Sequence, residues 1–220
     1  VIGAGIVGVS TAIWLQRSGY KVTIIDQLGP AAGASHGNAG ILAASSIIPV
    51  PNPSLIKKLP FFLLSKNSPV FFKMSYLPKM FPFLMSYLSK SNLREVNKYA
   101  ERMTPLIFDT VCQHSSLAKG TGAEKFISNQ DYCFGYETEK NFLNDKKVWK
   151  LRQKHGLPFE VVTGNEFSKF DPFYKDLFDV IVKCKNHGKI SDPGLYVKTL
   201  CDHFLSQGGC LLYTSDAADE

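Results

Sequence analysis

The sequence predicts an α/β fold that opens with a Rossmann-like β-α-β unit. Three observations predict it: a Gly3-Ala-Gly5-Ile-Val-Gly8 turn directly after apolar Val1-Ile2, an apolar helical pattern over 6–18, and a β-branched run Lys21-Val-Thr-Ile-Ile-Asp26 ending on a carboxylate. The 220 residues, 45% apolar and 20% charged, are an ordinary globular balance with enough chain for one or two domains.

In the opening unit each glycine has a task. Gly3 permits the tight turn, Gly5 lets backbone approach a pyrophosphate, and Gly8, continued by Ala12, lets the helix press on the sheet. The helix N-terminus supplies free amides and partial positive charge to phosphates, with Ile6 and Val7 in its first turn. Gly19 stands where a C′ residue belongs. Asp26 lies 23 residues after Gly3, placed to accept ribose hydroxyls and to disfavour a 2′-phosphate, with Gln27 beside it.

Residues 27–46 are small and loop-like, and they discriminate between dinucleotides. An NAD domain would continue with a second β-α-β unit. Ala34-Ser-His-Gly-Asn-Ala-Gly40 instead offers a close-approach loop suited to an extended FAD, with Ser35 and Asn38 as hydrogen-bonding side chains and Ala39, Gly40 and Leu42 following. His36 and His187 read as loop and turn residues rather than as bases. The two tryptophans read as packing residues, and Lys146-Lys147 as a solvated helix face.

Further along, Pro60, Pro69, Pro78 and Pro82 forbid one long helix over 47–90, leaving short helices near 71–76 and 84–88. Residues 92–118 read as one helix that Pro105 bends or restarts, 124–136 as a strand pair, and 137–155 as an amphipathic helix with Phe142, Leu143, Val148 and Leu151 on one side, stopped by Gly156. Thr163-Gly-Asn-Glu166 is a capping box, 179–184 a strand, and Asp192-Pro193 an N-cap with proline at N1, opening a helix that ends at Gly208.

Charge and cysteine usage narrow the function classes. Net charge is +6, but no block of five basic residues occurs, which argues against nucleic acid. The five cysteines are irregularly spaced with no CxxC pair, which argues against zinc or a disulfide framework and for a reduced, cytoplasmic compartment. No apolar run reaches the length of a membrane span, and the first residues do not form a signal peptide. Three readings stand for the aromatic stretch 59–88: packing between domains, the lining of a substrate entrance, or peripheral contact with a membrane surface through Lys57, Lys58, Lys66, Lys73 and Lys79.

The runs VIGAGIVGVSTAIWLQRSGYKVTIIDQ, ASHGNAGIL and NHGKISDPGLYVKTLCDHFLSQGG together resemble the D-amino acid dehydrogenase small-subunit type of FAD-dependent oxidoreductase, within the D-amino acid oxidase and glycine oxidase superfamily. The resemblance implies non-covalent FAD and a Rossmann-like FAD domain interleaved with an antiparallel-sheet substrate domain, here partial. It also implies oxidative deamination of a D-amino acid to a 2-oxo acid, with electrons passing to a respiratory acceptor such as a quinone. On that basis 1–46 is the first part of the FAD domain, 47–120 a helical insert, 121–186 part of the substrate domain and 187–209 the return to the FAD domain. Gly3, Gly5, Gly8 and Asp26 fit the family's adenosine and pyrophosphate contacts, and Ser35, Asn38, Ala39 and Gly40 its second cofactor loop. The family's carboxylate clamp, an Arg and a Tyr, falls outside this sequence, so no catalytic residue is assigned and no metal is expected. Oxidation of sarcosine, glycine or 2-hydroxyglutarate, a regulatory nucleotide-binding module and a non-functional truncated fragment remain the alternatives.

The last eleven residues, 210–220, resemble the translation of a sequencing adapter. The expectation is that they pack on nothing in a natural way, although Leu211, Leu212 and Tyr213 can mimic a strand and lay 210–214 in the vacant strand slot, and that 1–209 is a fragment open at both ends.

Overall fold

The computed structural model describes residues 1–49, 73–174 and 176–213. Its helices are α1 (Ile6–Arg17), α2 (Leu77–Ser89), α3 (Leu93–Ile107), α4 (Thr110–Ala118), α5 (Glu139–Asn144), α6 (Lys146–Lys154), α7 (Gly164–Phe167) and α8 (Pro193–Ser206). Its strands are β1 (Thr23–Ile25), β2 (Ile41–Leu42), β3 (Ile127–Asn129), β4 (Tyr132–Tyr136), β5 (Phe159–Thr163), β6 (Val180–Cys184), β7 (Gly188–Ile190) and β8 (Cys210–Leu212). Two compact units result, one from 1–43, 109–131 and 186–220, the other from 44–108 and 132–185.

In the first unit α1 packs on α8 over a core of Val9, Ala12, Ile13, Ile24, Val197, Leu200 and Phe204. The small residues of α1 permit this approach, and Arg17 donates to the carbonyls of Ser116, Leu117 and Lys119, closing the C-terminal end of α4. Asp192 caps α8 through a 2.8 Å bond from the Leu195 amide, with Pro193 at N1, as the sequence predicts. A three-stranded antiparallel sheet runs β2-β7-β3.

The first residues of the tail occupy the strand slot left vacant after α8. Cys210–Leu212 forms β8, parallel to β1 with Ile24 opposite Leu211, and Leu211 packs against the core. The physical reason is the free edge of β1 after α8: the Cys210 amide bonds the Val22 carbonyl, and the Asp26 amide bonds that of Leu212. Residues 214–220 lie outside the described residues.

In the second unit β6 is the centre of an antiparallel β4-β6-β5 sheet, and its Val180, Ile181, Val182 and Cys184 are buried. Trp149 of α6 covers it, its ring 5.3 Å from Phe134 and 5.0 Å from Phe159. The Thr163–Glu166 capping box forms in full.

Four expectations are corrected here. Residues 92–118 are two helices, α3 and α4, because the backbone at Asp109 leaves the helical region (φ −110°, ψ 21°), while α3 runs past Pro105 without a break there. Residues 124–136 supply two strands that do not pair with each other: β3 joins β7 and β4 joins β6, since the chain passes between units at 131. Residues 137–155 divide at Asp145, and Leu143 is exposed, not on the apolar side with Phe142. Finally, α2 continues through Pro82, with Pro78 in its first turn. The expected helix near 71–76 is described only from residue 73, where Met74–Tyr76 is a single 3-10 turn.

Candidate cofactor site

The glycine turn joins the first extended residues to α1, where Ile2 bridges Ile25 in parallel and the Gly3 amide donates to the Ile25 carbonyl. Gly3 has φ +99°, a conformation that L side chains rarely adopt, and nothing lies within 4 Å of where its Cβ would be. At Gly8 a Cβ would sit 1.8 Å from the Gly3 carbonyl oxygen, so only glycine lets the helix close on the turn. Gly5 is the N-cap residue and carries no side chain to cap the helix. The first-turn amides of α1, at Ile6, Val7 and Gly8, have no intrahelical partner.

Side chains from two distant loops clasp this turn. Asp26 Oδ2 accepts the Ala4 amide at 2.7 Å, and Oδ1 accepts the amides of Leu28 and Gly29 at 2.7 and 2.8 Å. These bonds hold the Asp26 carboxyl below its ordinary value, chiefly through Ala4 and then Leu28, against an opposing effect of burial. Ser35 is buried, and its Oγ accepts the Ile6 amide at 2.9 Å, supplying the cap that Gly5 cannot.

The second loop ties itself in place. Asn38 Oδ1 accepts the Gly40 amide at 2.8 Å and its Nδ2 donates to the Ala34 carbonyl at 3.1 Å. Gly40 has φ +64°, and a Cβ there would lie 2.2 Å from the Ile190 carbonyl oxygen. Leu42 is buried in the core, while Val7, Gln27 and Ala39 are exposed and Ile6 is half-buried. The imidazole of His36 lies against Gly194 at the start of α8, and His187 is buried beside Asn186, which has φ +60°.

Ile6, Ser35, Asn38, Gly40, His114 and Tyr196 are among the residues that line a cavity of about 170 Å3. The His114 Nδ1 and Tyr196 hydroxyl lie 3.0 Å apart. Burial pushes the His114 pKa down and the Tyr196 pKa up, favouring the neutral form of each. Sequence reasoning missed this pair, whose members are 82 positions apart with no motif linking them. The cavity is smaller than the ~300–1,000 Å3 of a small-molecule pocket, so it can take only part of a dinucleotide. Among the described residues no cluster of His, Cys, Asp and Glu could hold a metal ion.

Residues 1–219 match the family described as FAD dependent oxidoreductase. The chain belongs to that family. Among curated relatives, the chain is 35% identical over 215 residues to a D-amino-acid oxidase of Bradyrhizobium diazoefficiens, covering 96% of this chain and 51% of that protein. A D-amino acid dehydrogenase of Helicobacter pylori is 23% identical over 219 residues, 100% of this chain and 52% of that protein. Among solved structures, glycine oxidase from Bacillus cereus superposes with a TM-score of 0.59 at 18% identity, covering 96% of this chain and 44% of that one; it shares the fold. The chain thus spans about half the length of the curated relatives it matches. The family match extends through β8, so the pairing of Cys210–Leu212 with β1 lies within the matched region.

Proposed function

We propose that this chain supplies the adenosine and pyrophosphate site of an FAD-dependent D-amino acid oxidoreductase. The observation that carries the reading is the Gly3–Gly8 cradle, open over Gly3 and clasped by Asp26 and Ser35 at a helix N-terminus. Gly3, Gly5 and Gly8 let backbone approach the pyrophosphate, with Ile6 and Val7 in the turn that receives it. Asp26 Oδ2, which accepts the Ala4 amide, stands at the glycine turn and is placed to accept a ribose hydroxyl, next to Gln27. A carboxylate there repels a 2′-phosphate, which favours FAD over NADP. Ser35, Asn38, Ala39, Gly40 and Leu42 continue the path beyond the pyrophosphate.

When bound, FAD accepts the hydride equivalent lost from the donor carbon. This chain's residues would bind and orient it. The substrate reading, oxidative deamination of a D-amino acid to an imino acid that water hydrolyses to a 2-oxo acid and ammonia, is supported by the names of the relatives. Transfer of electrons to a respiratory quinone is supported by those named dehydrogenases; the Bradyrhizobium relative, named an oxidase, favours oxygen. The test is to purify the full-length protein, record its visible spectrum, and follow D-amino acid turnover with an oxygen electrode and with a quinone analogue. Flavin bands, with faster turnover on the quinone analogue, are expected. A colourless protein that gains no flavin bands on adding FAD sinks the cofactor reading, and turnover of sarcosine alone sinks the substrate reading.

A further inference from the structure

We propose that the Arg152 guanidinium, in the second unit, is a binding site for the carboxylate group of a small molecule. Arg152 stands in the last turn of α6 and is only 8% exposed. Its guanidinium carbon lies 4.4 Å from the Trp149 ring and 5.3 Å from the Phe134 ring, in the corner that those two rings form edge to face. Nε donates to the Ser45 carbonyl at 3.1 Å, in a buried bond. Two rings and a carbonyl thus fix the orientation of a planar cation before any ligand arrives.

The packing leaves the charge unanswered. A cation withdrawn from water is costly unless a carboxylate faces it, and buried arginines are normally paired. Among the described residues no Asp or Glu lies within ion-pair distance of Arg152. Asp145, whose charge acts on Arg152, is engaged with the Tyr136 hydroxyl at 3.3 Å, and that hydroxyl accepts from Trp149 Nε1 at 2.9 Å. The C-terminal end of α6 offers only the partial negative charge of a helix terminus. Burial accordingly pushes the Arg152 pKa down. The edge that remains defines the ligand. Nε is spent on Ser45, and Nη1 and Nη2 have no hydrogen-bond partner among the described residues. They are not sealed from solvent, since the enclosed side-chain nitrogen or oxygen without a partner among those residues is His155 Nε2. Two parallel donors on one edge of a rigid plane match the two oxygens of a carboxylate, which also brings the missing negative charge. Phe134 and Trp149 give the organic part of the acid an apolar flank.

The test uses the full-length protein with acetate as the probe, followed by saturation-transfer NMR in chloride buffer of matched ionic strength. Saturable acetate binding to the wild type is expected. Arg152→Lys keeps the charge but not the fork and should weaken binding about tenfold or more, the worth of one hydrogen bond to a charged group. Arg152→Gln should abolish it, with melting curves checking that both variants fold. Phenylglyoxal, which attacks the free edge of a guanidinium, gives a second measurement without any substitution. Arg152 should be labelled in the native protein and protected by acetate, while Arg17, bound to three carbonyls, should react slowly. The source of the carboxylate is read from inhibition of D-alanine turnover: competition by acetate marks the substrate's own carboxylate, and binding without competition marks a separate carboxylate ligand. Acetate binding and labelling need no turnover, so they stand or fall apart from the flavin reading. The proposal is overturned if acetate does not bind, if Arg152→Lys binds it as the wild type does, or if Arg152 reacts with phenylglyoxal only after denaturation.

Discussion

The Ser35 hydroxyl caps the Ile6 amide at 2.9 Å from 29 positions away in the chain. A helix that starts on glycine has no side chain of its own for this task, so the second loop does it, and the loop and the glycine turn become one structure. Ser35→Ala should cost about 1 kcal/mol, as loss of an N-cap does, and should weaken FAD binding as well. Ser35→Thr should keep most of both. Denaturant midpoints and flavin titration check this.

Gly8→Ala should be far more damaging than Gly33→Ala. A Cβ at Gly8 meets the Gly3 carbonyl at 1.8 Å, a backbone atom that cannot swing away, whereas nothing lies within 4 Å at Gly33. The expected outcome is loss of flavin and lowered yield for the first and wild-type behaviour for the second, read from flavin absorbance of the purified variants.

Asp26 makes stability depend on pH at the acid end. Its folded-state pKa lies below the ordinary carboxylate value, so the stabilisation is present above about pH 4 and is lost as pH falls through the depressed value. In Asp26→Asn the acid-end loss should be shallower, with lower stability near neutrality because the amide group turns a donor toward backbone donors. Denaturant midpoints across an acid series separate the two curves.

Tyr136 should govern the alkaline end of the second unit. Its hydroxyl accepts from Trp149 Nε1 at 2.9 Å and faces Asp145 at 3.3 Å, and burial first, then its carboxylate neighbour, pushes its pKa up to about 12. The folded state holds this proton more tightly, so stability is level below about pH 10 and falls between there and about pH 12. Tyr136→Phe should flatten that fall, leaving the Trp149 indole without its acceptor and the protein less stable at neutral pH. Ultraviolet titration of phenolate formation and alkaline melting check both.

The thiols should divide by burial. Cys112, Cys133 and Cys210 are exposed, while Cys184 and Cys201 are buried, and burial pushes the Cys201 thiol up to about 11. Three should react quickly with a thiol reagent in the native state and two only after denaturation. Rapid reaction of Cys201 would mean that α8 leaves the core.

By itself, the sequence determined what short-range geometry controls. The turn at Gly3–Gly8, the proline-led start of α8 and the Thr163–Glu166 box were legible because each is a hydrogen-bond or backbone pattern completed within a few residues. The placing of Asp26 against the turn was legible too, since only one strand separates them. Tertiary structure alone decided what depends on distant partners. β3 and β4 are two residues apart, yet β3 pairs with β7 and β4 with β6 some 50 residues on, because strand edges are filled by whichever backbone the fold brings there. The same holds for His114 against Tyr196: pairing energy comes from contact in space, and neither residue type nor spacing carries that address.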